Sequence, residues 1–276
     1  MRFTFVNAPF KKFAAIQPPL GLAYLAAVLK EKSAAVTVID ANAERLSIDQ
    51  TVKRILESQP DVLGFTMTTP LVDVSLETIE QVKSKKDIPI VVGGPHPTVM
   101  PDELLKEGKI DIVVRGEGEN TISELYDYFR GDRQLDSILG ISFRRNGRIH
   151  HNLSQPLIDN LDEIPFPAWE LLPLSRYTSF ARKKKFSLPI LTSRGCPFGC
   201  IFCYKGTLGR KYRVRSPWNV LVELEYLVNN LKIEEFVVLD DNFALNEERA
   251  MEICNEIIGR NLVRPWNTVN GLTVRV

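Results

Sequence analysis

Along the N-terminal half of the chain, short runs of β-branched and aromatic residues alternate with longer windows in which apolar residues return every third or fourth position. The runs are RFTFVN, VTVID, DVLGFT, IPIVVGG and DIVVRG. Continuous apolar runs of this kind suit strands buried on both faces, so the rhythm predicts a parallel sheet covered by helices on each side. Pro18 and Pro19 open the first helix, where a missing amide donor costs nothing, and Leu22, Leu25, Ala26 and Leu29 form its apolar stripe. Further helices are predicted near residues 47–58, 71–85, 101–107 and 119–130. Five strands with intervening helices make a flavodoxin-like, doubly wound α/β fold, which places ligands at the carboxyl ends of its strands.

Asn146-Gly147 then predicts a two-residue hairpin turn, read as the end of a first domain spanning residues 1–150. Residues 151–185 are punctuated by proline yet rich in apolar side chains, which predicts an ordered connector; its RKKK run at 182–185 reads as a solvated turn. From residue 186 to 276 a second α/β rhythm begins: a strand in SLPILTSRG, a cysteine loop, a helix capped by Ser216 with Pro217 at its first position, a strand in EFVVLDD, a helix over about 246–260 and a last strand near NTVNGLTVRV. That is only about three strand-helix units, against the eight of a closed barrel.

Charge narrows the partners. The 35 basic and 34 acidic side chains leave a formal +1, which argues against a dedicated nucleic-acid or membrane-surface binder and for a small-molecule substrate. The N-terminus lacks the apolar core of a secretion signal and the longest apolar run falls short of the ~20 residues of a membrane span, so a cytoplasmic protein is expected.

Three of the four cysteines, Cys196, Cys200 and Cys203, lie within eight positions in a loop that also carries Gly195, Pro197 and Gly199. Spacing this lopsided is not a disulfide framework; it suits an iron-sulfur cluster, with one iron left without a protein ligand, or a structural zinc, for which a fourth donor is not evident. Cys254, inside a predicted helix, reads as a small core residue. Cys196, Cys200, Phe202 and Cys203, in a loop after a barrel-type strand, resemble the radical S-adenosylmethionine superfamily. The resemblance implies a 4Fe-4S cluster on the three thiolates, S-adenosylmethionine on the open iron, reductive cleavage to a 5'-deoxyadenosyl radical and an external electron donor of flavodoxin or ferredoxin type. It also implies cofactor contacts from Phe202 and from Asp240, Asp241 and Asn242 at the end of the next strand, although LDDNF departs from the Gly-Gly-Glu form common there and the aspartates equally suit loop or helix-cap roles. Arg210, Lys211, Arg213 and Arg215 read as solvated surface.

In the first domain the first strand is followed by NAPFKK rather than GxGxxG, which argues against a dinucleotide. Glycines and hydroxyls instead follow the later strands. The combination of PPLGLAYLAAVLKE, VVGGPHPT, RGEGE and LDEIPFPAWELL resembles the cobalamin-binding class of radical S-adenosylmethionine proteins, with an incomplete radical barrel after the cobalamin domain. The positions matched to cobalamin contacts are Thr66, Thr68, Thr69, Gly93, Gly94, Pro95, His96 and the loop Gly116, Glu117, Gly118 and Glu119. The DxHxxG motif that brings a histidine lower ligand is absent; His96 suits either a corrin contact or a bond within its own loop, and His150 and His151 read as surface residues. The resemblance implies methyl transfer to an unactivated centre, with cyclisation or rearrangement of the tetrapyrrole-ring-forming type as the alternative. A non-catalytic cobalamin- or metal-binding module is the competing reading, and the chain is expected to be a piece of a longer enzyme.

Overall fold

A computed structural model describes residues 1–10, 16–177, 184, 186–204 and 206–272. The chain divides into two compact units, one of Met1–Ala14, Pro19–Leu157 and Pro165–Arg176, the other of Ala15–Pro18, Ile158–Ile164 and Tyr177–Val276. The expected connector is thus shared in sequence: residues 158–164 cluster with the second unit and 165–176 with the first.

The first unit contains β1 (Arg2–Asn7), α1 (Leu20–Glu31), β2 (Ala35–Asp40), α2 (Ile48–Glu57), β3 (Val62–Thr66), α3 (Val72–Lys83), β4 (Ile90–Gly93), α4 (Pro95–Val99), α5 (Pro101–Lys106), β5 (Ile112–Val114), α6 (Glu119–Arg130), β6 (Ile141–Arg145) and β7 (Arg148–His151). Its sheet runs β2-β1-β3-β4-β5-β6-β7, parallel from β2 through β5 and antiparallel at the last two strands. Strand order reverses direction at β1, and right-handed crossovers then place α1 on the opposite face from α2 and α3. The contacts agree, since α1 packs with α6 and α2 with α3. The fold is therefore doubly wound, as the alternation of apolar runs predicts.

Side chains of β1 divide between the two faces. Val6 joins Leu63, Phe65, Ile90, Val92 and Val113 in a core with Val52 and Ile55 of α2, Ile79 and Val82 of α3, and Leu104 and Leu105 of α5. Phe3 instead meets Tyr126 and Phe129 of α6, with ring centroids 6.2 and 6.3 Å away. Ser47 starts α2 with reciprocal bonds to Gln50, 3.2 and 2.8 Å long, which satisfy amides that the helix cannot. Asn146 and Gly147, with φ of 51° and 77°, make the expected hairpin turn. The hairpin does not stand apart, because it supplies the last two strands of the same sheet. Beyond it, Trp169 is fully buried in this unit and the Ala168 amide donates to the Ala23 carbonyl of α1 at 3.0 Å.

The second unit contains β8 (Ser187–Ile190), β9 (Ser193–Arg194), β10 (Arg213–Val214), α7 (Pro217–Asn229), β11 (Glu235–Val238), α8 (Glu247–Gly259) and β12 (Trp266–Thr268). Its parallel sheet runs β12-β11-β8, and β9 and β10 form a separate antiparallel pair. The strand expected over 187–195 is therefore broken into β8 and β9, and the last strand is shorter than expected; residues 273–276, and the RKKK run apart from Lys184, lie outside the described residues. Ser216 caps α7 through the Asn219 amide at 3.1 Å, with Pro217 next, as predicted. Among the described residues no helix is long and apolar enough to cross a membrane.

Gly64 of β3 lies beside Phe5 of β1, and a methyl group there would come within 2.5 Å of the Phe5 ring. Gly64→Val is expected to destabilise the chain by about 1–3 kcal/mol through overpacking, read as a lowered urea midpoint at unchanged slope.

Candidate functional site

At the carboxyl ends of the parallel strands of the first unit, the loops after β3, β4 and β5 make a polar rim. Thr68 and Thr69 are exposed, Thr66 is half-buried, and Pro95 is exposed at the start of α4. Gly94 has φ of 114°, and a Cβ there would stand 2.8 Å from the Met67 carbonyl oxygen, so a side chain is excluded by both conformation and space. The Thr98 hydroxyl donates to the Gly94 carbonyl at 2.8 Å and accepts from the Gly116 amide at 3.0 Å, which ties the glycine loops after β4 and β5 together. His96 Nδ1 lies 3.3 Å from the Thr69 hydroxyl, and its buried Nε2 has no protein partner among the described residues.

The rim residues do not all face the same way. Glu117 and Glu119 are buried, at 5% and 8% exposure, and each has polar partners within the fold, so the RGEGE loop offers its backbone more than its carboxylates. The pair Asn7 and Asp40, at the ends of β1 and β2, is joined by a 2.9 Å bond and buried beside this edge. His151 lies away from it on β7, bonded to Ser142 at 2.8 Å and to Asp102 at 3.0 Å, and His150 stacks on Phe143. An exposed threonine pair, close backbone and a buried imidazole nitrogen without a partner suit a large polar ligand across the strand ends; the residues present fit cobalamin in that respect.

In the second unit, Cys196, Cys200 and Cys203 occupy the loop between β9 and β10. Gly195 has φ of 81°, and a Cβ there would stand 2.3 Å from the Lys211 carbonyl oxygen, so the outgoing and returning arms pass at a distance that only glycine permits. Cys196 is buried, whereas Cys200 and Cys203 are exposed, with the Cys203 amide bonded to the Cys200 carbonyl at 3.1 Å. Phe198, Ile201, Phe202 and Tyr204 are exposed on the same loop. Among the described residues no three His, Cys, Asp or Glu side chains stand together at metal-holding distance, so the sulfurs are not gathered in this conformation. The donor set nevertheless fits a cluster by its chemistry: three closely spaced thiols, two of them open to solvent, with the apolar side chains of the same loop to shield them.

The loop's neck is held by buried charge. Asp240, 1% exposed, accepts from the Thr192 amide and hydroxyl at 2.6 and 2.5 Å and from the Ser193 hydroxyl at 2.7 Å. Both its carboxylate oxygens therefore serve the outgoing arm, the loop role open to it from sequence. Asp241 is half-buried and Asn242 buried beside it. Arg215 donates to the Leu191 carbonyl at 2.8 Å and the Asn219 side chain at 2.6 Å and pairs with Glu223 of α7. Burial pushes the Glu223 carboxyl up, and Arg215 pulls it back. Arg249 of α8 donates to the Arg215 carbonyl at 2.9 Å and the Thr192 carbonyl at 2.8 Å; desolvation lowers its pKa. Arg213 donates to the Leu208 carbonyl at 2.8 Å and the Ile158 carbonyl at 2.7 Å.

These contacts correct the reading of the basic run. Arg210 and Lys211 are exposed, but Arg213 and Arg215 are buried, at 3% and 5% exposure. The signal was present: in RVRS the two arginines alternate along a strand and share one face, and Glu223 falls on the apolar stripe of α7 with Val220, Leu224 and Leu227. Arg249 had no such signal, since its partners are carbonyls distant in sequence, and neither had the bond of Thr98 to the Gly116 amide, which lies on the next loop.

Residues 7–126 match the family model described as the B12 binding domain. An uncharacterized methyltransferase of Pyrococcus horikoshii is 40% identical over 252 residues, 90% of this chain and 54% of that protein. The anaerobic magnesium-protoporphyrin IX monomethyl ester cyclase of Rubrivivax gelatinosus is 33% identical over 100% of this chain and 51% of its own length. A solved structure of the cobalamin-dependent S-adenosylmethionine radical enzyme OxsB, with aqua-cobalamin and S-adenosylmethionine bound, superposes with a TM-score of 0.83 at 25% identity, over 96% of this chain and 38% of that one. The chain spans about half the length of the curated relatives it matches.

Arg215→Ala is expected to cost about 3–5 kcal/mol, because it leaves the Glu223 carboxylate buried without its partner. The pair Arg215→Met with Glu223→Leu is expected to recover part of that loss, with both differences measured by denaturant unfolding.

Proposed function

We propose, on the premise that this chain belongs to the cobalamin-binding radical S-adenosylmethionine proteins, that it forms the cobalamin- and cluster-holding part of a methyl-transferring enzyme acting on an unactivated centre of a small molecule. The observation that carries the reading is the presence, on one chain, of a glycine- and threonine-lined rim on a doubly wound sheet and of a three-cysteine loop rooted in the second unit. The P. horikoshii relative, named as a methyltransferase, supports this reaction. A second reading, ring-forming cyclisation, is favoured by the R. gelatinosus cyclase, which is similar over the whole of this chain.

In this reading Cys196, Cys200 and Cys203 are the ligands of a 4Fe-4S cluster. When bound, cluster and cobalamin supply, respectively, the electron that cleaves S-adenosylmethionine and the methyl group to be transferred. Phe202, 90% exposed beside the third cysteine, would cover the cofactor's edge, with Asp241 and Asn242 at the end of β11 as polar contacts. Asp240 holds the loop's root. Thr66, Thr68, Thr69, Gly93, Gly94, Pro95 and His96 would receive the cobalamin, with the amides of the Gly116 to Glu119 loop. An external flavodoxin- or ferredoxin-type protein would deliver the electron.

Anaerobic reconstitution tests the reading. The chain is expected to take up about four irons, and Cys200→Ala to lose them while keeping its affinity for hydroxocobalamin. Stoichiometric zinc instead of iron would overturn the cluster assignment. For the rim, Gly94→Val is expected to weaken hydroxocobalamin binding about tenfold or more, on the order of 1.4 kcal/mol, by absorbance titration, with iron uptake unchanged.

A further inference from the structure

None of the three cysteines in the loop lies on a helix or strand, so something other than regular structure must set their register. Among the described residues the two arms of the loop pair through Ser193 with Val214 and Arg194 with Arg213, and just below that ladder the Arg215 amide donates to the Thr192 carbonyl at 3.0 Å. So short a ladder is marginal by itself. Arg249 adds a crosspiece. Its one guanidinium donates through Nε to the Arg215 carbonyl at 2.9 Å and through Nη2 to the Thr192 carbonyl at 2.8 Å, a group on each arm. The residue is 6% exposed and sits in the first turn of α8, where the Asn246 side chain accepts from the Arg249 amide at 3.0 Å. A planar fork fixes the spacing of two acceptors in a way that a flexible ammonium does not.

We infer that Arg249 is a positioning residue for the cysteine loop: by bridging the arms at the neck, it sets where the buried Cys196 stands relative to the exposed Cys200 and Cys203. The inference deepens the proposed function and rests on it for the purpose of the register, but the register itself is a property of the metal-free chain.

The test is alkylation of the metal-free chain by iodoacetamide, followed by peptide mass spectrometry at each of the four cysteines, for the parent chain and for Arg249→Gln, Arg249→Lys and Arg260→Gln. Arg260, at the other end of α8, pairs with Glu256 and Glu225 on the surface and serves as the control. In Arg249→Gln, Cys196 is expected to react roughly tenfold faster, equivalent to ~1.4 kcal/mol of easier opening. In Arg249→Lys the increase is smaller, and in both variants Cys254, on α8, keeps its parental rate. An unchanged Cys196 in both Arg249 variants overturns the inference. So does a parallel rise at Cys254, or an equal rise in Arg260→Gln, because each would mean general loosening of the helix. If Arg249→Gln does not fold, Arg249→Lys decides by the same criteria. A parent chain that takes up no iron on reconstitution would sink the cluster reading while leaving the alkylation result to stand by itself.

Discussion

A loop that leaves a sheet and returns to it must find partners for the backbone groups at its neck, and in the second unit those partners are buried charges. Asp240 takes an amide and two hydroxyls from the outgoing arm, Arg249 takes one carbonyl from each arm, and Arg215 reaches back to Leu191 while Glu223 balances it. Charged hydrogen bonds out of reach of water are strong, but each depends on the others, because removing one partner strands the rest. The cysteine-bearing segment beyond the neck can then be open and rich in exposed apolar side chains without loosening the strands that carry it.

The first unit solves a similar problem with neutral groups. Its rim loops are joined by the Thr98 hydroxyl, which serves Gly94 on one side and Gly116 on the other. The glycines bring the backbone close, and the exposed Thr68 and Thr69 remain available to a ligand. Rigid support on one side and free polar groups on the other is the arrangement that a large, tightly held cofactor calls for.

What could be read from the sequence followed from periodicity and local turn chemistry. The five parallel strands, the capped α7 and the Asn146-Gly147 turn are local events, written in neighbouring residues. So was the cysteine loop, whose spacing is chemistry in itself. The division of the connector was not visible, because it depends on which surface buries Trp169 and which strand end meets residues 158–164. Asp240 shows the same limit: its place after β11 is visible, but its task depends on Thr192 and Ser193, nearly fifty positions earlier. Glu117 and Glu119 turned inward for tertiary reasons that a glutamate in a glycine loop does not announce.

Neither unit is an uninterrupted stretch of polypeptide: residues 16–18 belong with the second, as do 158–164, yet Trp169 completes the interior of the first. On the ribosome, therefore, the first sheet emerges well before the tryptophan that finishes its interior. Until residue 176 clears the exit tunnel, the nascent first unit must persist with one side of α1 uncovered, a window in which chaperones or self-association have access to it.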